Sequence, residues 1–324
     1  MDIAVAGSHG FIGSALVTDL AARGHAVRRL VRRGTGPDRS RTADDDGASR
    51  VTEAGWDPAA GQLDPRVLEG VDAVVNLAGA GVGDRRWTAA YRRTIRESRT
   101  RAGGLIARAV AQLGSRPALV QASAVGYYGD RGDEPLTESS APGDDFLAGV
   151  VRDWEDAAAP AADAGLRVVH LRTGIVLAPH GGALARLLPL LRLGLGGPLG
   201  SGRQWWPWIS LPDEIAVLRR AIGDDAAGGP VLSGPVNAVA PGLVTNLELT
   251  RALAAGLRRP AVVPAPAFAL RAAIGGFAAE LLASRRLAPA SLREAGFTWR
   301  HETAGSAAAW IAAGPRRAVP PDPA

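Results

Sequence analysis

Short apolar runs and helical patterns alternate along the first half of this chain. Ile3-Ala4-Val5-Ala6 is a continuous apolar run ending at Gly7, the signature of a strand buried on both faces. Residues 11–24 follow with apolar positions at helical spacing, and Gly24 ends them. Residues 25–31, 72–79, 117–123 and 166–174 are further apolar runs of strand length. A long helical pattern from Trp87 to about Leu113 puts Trp87, Tyr91, Ile95 and Leu105 on one face. Strands alternating with helices predict an α/β fold, a doubly wound parallel sheet. Residues 34–49, rich in Gly, Asp, Arg and Ser, read as an insertion or surface loop.

After about residue 175 the character changes. Residues 180–208 are glycine-rich and hold three tryptophans. A helix near Pro212, a strand near residues 235–240 and a helix from Thr245 follow, then short helices among Pro260, Pro264, Pro266 and Pro289. The division predicted is a dinucleotide-binding domain at 1–240, with 176–210 contributing to the substrate side. A small C-terminal α/β lobe at 241–305 and a flexible tail at 306–324 complete it.

Composition narrows the classes. The chain has no cysteine, so no disulfide framework and no thiolate ligand. Five scattered histidines make no zinc motif, and no metal is expected. No run of 18 apolar residues occurs, and the N-terminus lacks a signal-peptide pattern, so a soluble cytoplasmic protein without membrane contact is expected. The pI near 10.6 is an effect of titration rather than of charge excess. All 37 basic residues are arginine against 32 acids, a net +5, and almost nothing titrates between pH 8 and 12. Arginines cluster at 23–50 and 85–101, but no aromatic-interleaved basic motif accompanies them, and no nucleic-acid partner is expected.

Gly7, Gly10 and Gly13 form G-x-x-G-x-x-G between the first strand and the first helix. That context fits a dinucleotide site: Gly7 for the turn, Gly10 for approach of a pyrophosphate to backbone N–H groups, and Gly13 for close packing of helix on sheet. The second strand ends Val31-Arg32-Arg33, with no acid for a ribose diol. Guanidinium groups there favour a 2'-phosphate, hence NADP(H) over NAD(H). Arg28 and Arg29 alternate with buried strand residues.

The glycine loop, Asn76-Leu77-Ala78-Gly79 and residues 123–130 (SAVGYYGD) together resemble the extended short-chain dehydrogenase/reductases. Further stretches such as RRWT, GDDFLA, RDWE, LRTGIVLAP and SGPVNAVAP bring the resemblance closer to the atypical "epimerase family" branch of unassigned substrate, some members of which are labelled cell-division inhibitors. The resemblance spans residue 7 to about 300. It implies a Rossmann-like domain, bound NADP(H), and a small C-terminal domain over the nicotinamide. It further implies cofactor contacts at Phe11, Ile12, Leu77, Ala78, Gly79, Ser98, Ala122 and Thr173, with Tyr127, Arg203 and Trp205 on the substrate side.

Catalytic members of that group use Ser or Thr with Tyr-x-x-x-Lys, where lysine lowers the tyrosine pKa. Ser123 matches the serine, but the remaining pair reads Phe146 and Val150, and the chain has no lysine to substitute. Tyr128 is the replacement proton donor considered with Ser123; strand-end packing is its other reading. Asp144 and Asp145 are alternative acids or helix caps. Asn76, Arg96 and Arg99 have structural readings, and His9 either touches phosphate or is a tolerated loop residue. Two functions remain open: an NADP(H)-dependent oxidoreductase or epimerase on a small carbonyl or sugar-like substrate, and a non-catalytic NADPH-binding sensor or scaffold.

Overall fold

The computed structural model describes residues 1–32, 50–224 and 229–314. Its strands are β1 (Asp2–Ala6), β2 (Ala26–Arg32), β3 (Val51–Trp56), β4 (Ala73–Asn76), β5 (Ala118–Ala124), β6 (Pro135–Leu136), β7 (Val168–Thr173), β8 (Ile175–Leu177), β9 (Trp208–Ser210), β10 (Gly234–Ala238) and β11 (Arg286–Leu287). Its helices are α1 (Phe11–Ala22), α2 (Ala89–Ala111), α3 (Phe146–Asp156), α4 (Ala159–Asp163), α5 (Leu187–Arg192), α6 (Leu211–Ile222), α7 (Asn246–Gly256), α8 (Ala267–Ile274), α9 (Phe277–Leu282), α10 (Ala290–Glu294) and α11 (Ala304–Ala313).

Seven strands form one parallel sheet in the order β10-β7-β5-β4-β1-β2-β3. The strands read as apolar runs because both faces are covered. Ile3, Val5, Val75 and Val120 belong to one core with Leu16, Leu20 and Leu218 of α1 and α6. Ala4, Val74 and Leu119 belong to the other with Ile106 and Val110 of α2. The chain order reverses between β1 and β4, the switch point at which such folds place a nucleotide, beyond the carboxyl ends of the strands. This is the doubly wound, Rossmann-like sheet expected. One strand was not anticipated: β3 is an edge strand, with Thr52 and Glu53 exposed or half-exposed and no apolar run.

A third core joins the C-terminal segment to residues 177–208. Leu184, Leu188, Trp206 and Trp208 meet Leu249 and Leu253 of α7 and Ala307, Ala308 and Ile311 of α11. The expected flexible tail from residue 306 therefore needs correction. Residues 306–313 lie in α11, whose capping box on Thr303 starts it and whose small alanine face lies flat on α7. Residues 315–324 of that tail, and the 34–49 insertion, lie outside the described residues. The C-terminal segment from residue 241 is helical apart from β11, which pairs with β6.

Candidate functional site

The glycine loop is built by close approaches. Gly7 has φ +75°, and a Cβ there would stand 2.6 Å from the backbone of Leu77. A Cβ on Gly13 would stand 2.2 Å from the Gly7 carbonyl oxygen, so α1 lies directly on the loop. Gly10 is less confined: its nearest such neighbour is the Gly7 oxygen at 3.2 Å, a tight contact rather than a collision. Gly10 is also the N-cap of α1, where no side chain caps the helix and no acid occupies the first turn. The N–H groups of Phe11 and Ile12 thus head a helix dipole with no internal anion. The Phe11 ring is covered by Gly181 and Gly182, whose Cβ atoms would fall 2.7 Å from it.

The segment after β4 is staked from two sides. Asn76 donates to Gln121 Oε1 at 3.0 Å and accepts from the Ala78 N–H at 3.1 Å. Ser98 accepts from the Ala80 N–H at 3.0 Å, and Arg99 donates to the Ala80 carbonyl at 2.9 Å. Burial lowers Arg99 to about 10, and its guanidinium lies 4.9 Å from the Trp154 ring centroid. Asn76, Ser98 and Arg99 therefore shape the Leu77–Gly79 turn; Ser98 reaches it through backbone. Arg32 is exposed at the end of β2, while Arg33 lies outside the described residues. His9 stands 3.8 Å from Glu53 on the exposed rim.

Strand register sets the height of the remaining groups. Ala6, Asn76, Gln121 and His170 are level across β1, β4, β5 and β7. Two residues on, Ser123 is level with Arg172 of β7, and Arg172 with Asn237 of β10. This row sits at the carboxyl edge, at the height of the Ala78 turn. Register partners in a parallel pair share a face, and here the face is that of α3. Ser123 donates to Glu155 Oε1 of α3 at 2.5 Å. Arg172 grips both Glu155 oxygens, Nε to Oε1 and Nη2 to Oε2, each at 2.8 Å. Arg172 also donates to the Glu138 carbonyl, and its guanidinium carbon lies 3.4 Å from the Tyr127 ring centroid. Burial alone would lower the Arg172 pKa, but its bonds to Glu155 raise it instead.

Tyr128 requires correction as a proton donor to substrate. Its side chain is 0% exposed. The hydroxyl donates to Asn237 Oδ1 at 2.7 Å and accepts from Arg172 Nη1 at 2.9 Å. Burial pushes its pKa up to about 12, against the opposing pull of Arg172 and Asn237. It joins the core with Val125, Leu136, Val239 and Leu287 and has no free face for a ligand. Its neighbour Tyr127 is only half-buried, on the open side of Arg172. Ala122, next to Ser123, lies buried on the opposite sheet face.

Asp145 caps α3, accepting from the Ala148 N–H at 2.8 Å, and Asp144 is exposed beside it. Phe146, at the position of the family tyrosine, contacts the Trp87 ring edge-on at 5.1 Å. On the expected substrate side, the Trp205 indole N–H donates to Asp133 at 2.7 Å and Arg286 lies over its ring. Arg203 is exposed, and nothing among the described residues ties its guanidinium to Ser123 or Tyr127. At the end of β7, Thr173 donates to Glu214 Oε1 at 2.9 Å. Glu214 is wholly buried in the first turn of α6, and its Oε2 has no partner among the described residues. Sequence reasoning passed over Glu155, Arg172 and Glu214. The available signal was charge inside apolar runs, since a buried charge needs a partner or a shifted pKa. Among the described residues no group of three acids or histidines could hold a metal, and no helix is long and apolar enough to cross a membrane.

Comparison with known proteins adds to this geometry. Residues 3–232 match the model of the NAD dependent epimerase/dehydratase family, and residues 265–311 match a Domain of unknown function (DUF1731). Epimerase family protein MT2273 of Mycobacterium tuberculosis is 44% identical over 306 residues, covering 94% of this chain and 95% of that protein. Epimerase family protein SDR39U1 of Bos taurus is 37% identical over 313 residues, covering 95% of this chain and 98% of that protein. The crystal structure of human epimerase family protein SDR39U1 (isoform 2) with NADPH superposes with a TM-score of 0.82 at 34% identity. It covers 97% of this chain and 99% of that one.

Proposed function

Because the chain belongs to the NAD dependent epimerase/dehydratase family, we propose that it is an NADP(H)-dependent oxidoreductase or epimerase-like enzyme acting on a small carbonyl or sugar-like substrate. The observation that carries the cofactor reading is the head of α1: Gly10 there makes no side-chain cap, and no acid occupies the first turn. A pyrophosphate would account for both features. The human relative crystallised with NADPH supports the same reading.

The residues present fit the cofactor. The N–H groups of Phe11 and Ile12 would hold the pyrophosphate, and Arg32 a 2'-phosphate. Leu77, Ala78 and Gly79 would wall the nucleotide, with Ala122, Ser123 and Thr173 along the same carboxyl edge. Such a cofactor supplies or takes up a hydride. The chain's own part is to bind, to exclude water and to handle the proton at Ser123. A small-molecule substrate and a cytoplasmic location go with this reading.

Phe146 and Val150, standing where a tyrosine and lysine would, favour the second reading: a non-catalytic NADPH-binding sensor or scaffold. Fluorescence titration with NADPH and NADH, followed by turnover assays over a panel of carbonyls and secondary alcohols, separates the two. Binding with turnover supports the enzyme. Binding without turnover on any compound supports the sensor, and no binding overturns both.

A further inference from the structure

Resting on the enzyme reading above, we propose that Glu155, held by Arg172, acts through Ser123 to take up the proton of a substrate hydroxyl. That is the task for which this chain has no lysine-assisted tyrosine. Ser123 is the group that meets substrate; Glu155 and Arg172 are positioning residues behind it.

The geometry has three parts. Ser123 stands at the carboxyl edge of β5, beside the central strand β4 and at the level of the turn after it, where the nucleotide site lies. Its hydroxyl hydrogen is committed to Glu155 Oε1 at 2.5 Å, a short bond of the kind an ionised acceptor makes. With that hydrogen turned to Glu155, Ser123, which is 4% exposed, has only lone pairs left for an incoming hydroxyl, from which it would accept a hydrogen bond. Arg172, itself buried, fixes the carboxylate at two points and is fixed in turn by the Glu138 carbonyl and Tyr128. The pair is therefore aimed as well as charged.

In the step proposed, the substrate O–H bond breaks and its proton passes to Ser123 Oγ while the Ser123 proton passes to Glu155. The freed oxygen electron pair forms the C=O bond as a hydride leaves the same carbon for an oxidised nicotinamide, the oxidant. The products are a carbonyl compound, reduced nicotinamide and neutral Glu155. The reverse step runs through the same atoms.

Charged and titratable groups near Glu155 come from every neighbouring element. β7 contributes Arg172 and His170, β5 contributes Ser123, and the turn after β5 contributes Tyr128. On α2, Arg96 is paired with Asp153 and Arg99 lies over Trp154. Asp156 adjoins Glu155 on α3 and acts on His170. Burial holds His170 below the usual histidine range, so it stays neutral above its lowered pKa.

The test uses the full chain with NADP+ and a panel of secondary alcohols and sugars, with kcat and KM read separately. Glu155→Gln should lower kcat by about 100-fold or more with KM little changed, with partial recovery in Glu155→Asp. Ser123→Ala leaves the ion pair in place and should lose kcat equally, so a poorly folding Gln variant does not decide the matter. A second readout needs no turnover: proton NMR of the cofactor-free protein should show a downfield hydroxyl proton that vanishes in Ser123→Ala and Glu155→Gln.

A kcat that is unchanged in both Glu155→Gln and Ser123→Ala overturns the inference while leaving the enzyme reading intact. So does a Ser123→Ala variant that loses NADP+ affinity but not kcat, since Ser123 would then serve the cofactor alone. A wild type that binds NADP+ but oxidises nothing, or that binds none, overturns this inference together with the reading it rests on.

Discussion

The hydroxyl of Thr173 donates to Oε1 of Glu214 at 2.9 Å, and among the described residues that is the one bond the carboxyl receives. Glu214 is 0% exposed, and burial pushes its pKa up to about 8, with only Thr173 opposing. α6 opens near the carboxyl edge of β7, so this neutral acid lies beneath the cofactor end of the site.

The consequence is a pH dependence of stability. An acid whose folded pKa is raised binds more protons folded than unfolded, so its contribution is complete below its ordinary value near 4.5 and is lost as pH rises through about 8. Wild type should therefore lose stability between pH 5 and 9 on account of Glu214, by an amount on the order of 3–5 kcal/mol. Glu214→Gln removes this term. Urea unfolding of both proteins at pH 5 and pH 9 checks it: the variant should gain on wild type as pH rises, and a constant difference would refute the assignment.

Tyr128 gives the second prediction. Held between Asn237 and Arg172 and neutral well past pH 9, its hydroxyl supports the fold rather than a substrate. Tyr128→Phe strands a buried Asn237 oxygen and should cost about 1–3 kcal/mol. NADPH affinity should change by less than threefold. Thermal unfolding and NADPH titration read the two effects, and a variant of wild-type stability would show that the bonds are not made in solution.

How far the residues announced this arrangement depends on where each signal was carried. β1, β4, β5 and β7 were legible as apolar runs because parallel strands covered on both faces have no polar alternation. The edge strand β3 was not, since residues 51–56 read Val-Thr-Glu-Ala-Gly-Trp and only Trp56 is buried. α11 was read as tail because alanines carry little periodic contrast; its partner α7 lies some fifty residues earlier in the chain. The glycine loop was legible as a motif because each glycine has a local reason. Glu155 and Arg172 were quoted within the stretches RDWE and LRTG, yet their pairing is tertiary. An arginine in the middle of an apolar strand was the sign that a buried counter-charge had to exist.

Cofactor choice follows from the end of β2. Arg32 is exposed there, and the sequence reads Val31-Arg32-Arg33 where an acid would take a ribose diol. Charge-assisted contact to a 2'-phosphate contributes roughly 1.5–3 kcal/mol, so NADPH should bind at least tenfold more tightly than NADH. Arg32→Ala should remove most of that preference while leaving NADH affinity unchanged. Titrations of both proteins with both cofactors decide it; equal affinities in wild type would end the assignment.

The glycine loop separates structure from binding most sharply. Gly13 and Gly10 stand three residues apart, yet a Cβ on the first meets the Gly7 oxygen at 2.2 Å and on the second at 3.2 Å. At Gly13 the collision is with backbone, so even Gly13→Ala must push α1 off the sheet, at an expected cost of about 2 kcal/mol or more. Gly10→Val meets only a tight contact, and φ −72° at this position suits any residue. Its methyl groups would instead stand over the N–H groups of Phe11 and Ile12, where a pyrophosphate must approach. Gly10→Val should keep a near-wild-type melting temperature and lose NADPH binding by 100-fold or more, whereas Gly13→Ala should lose stability first. Melting curves taken with and without NADPH distinguish the two variants, because only a protein that binds is stabilised by ligand. A Gly10→Val protein that NADPH still stabilises would mean that the head of α1 is not the phosphate cradle.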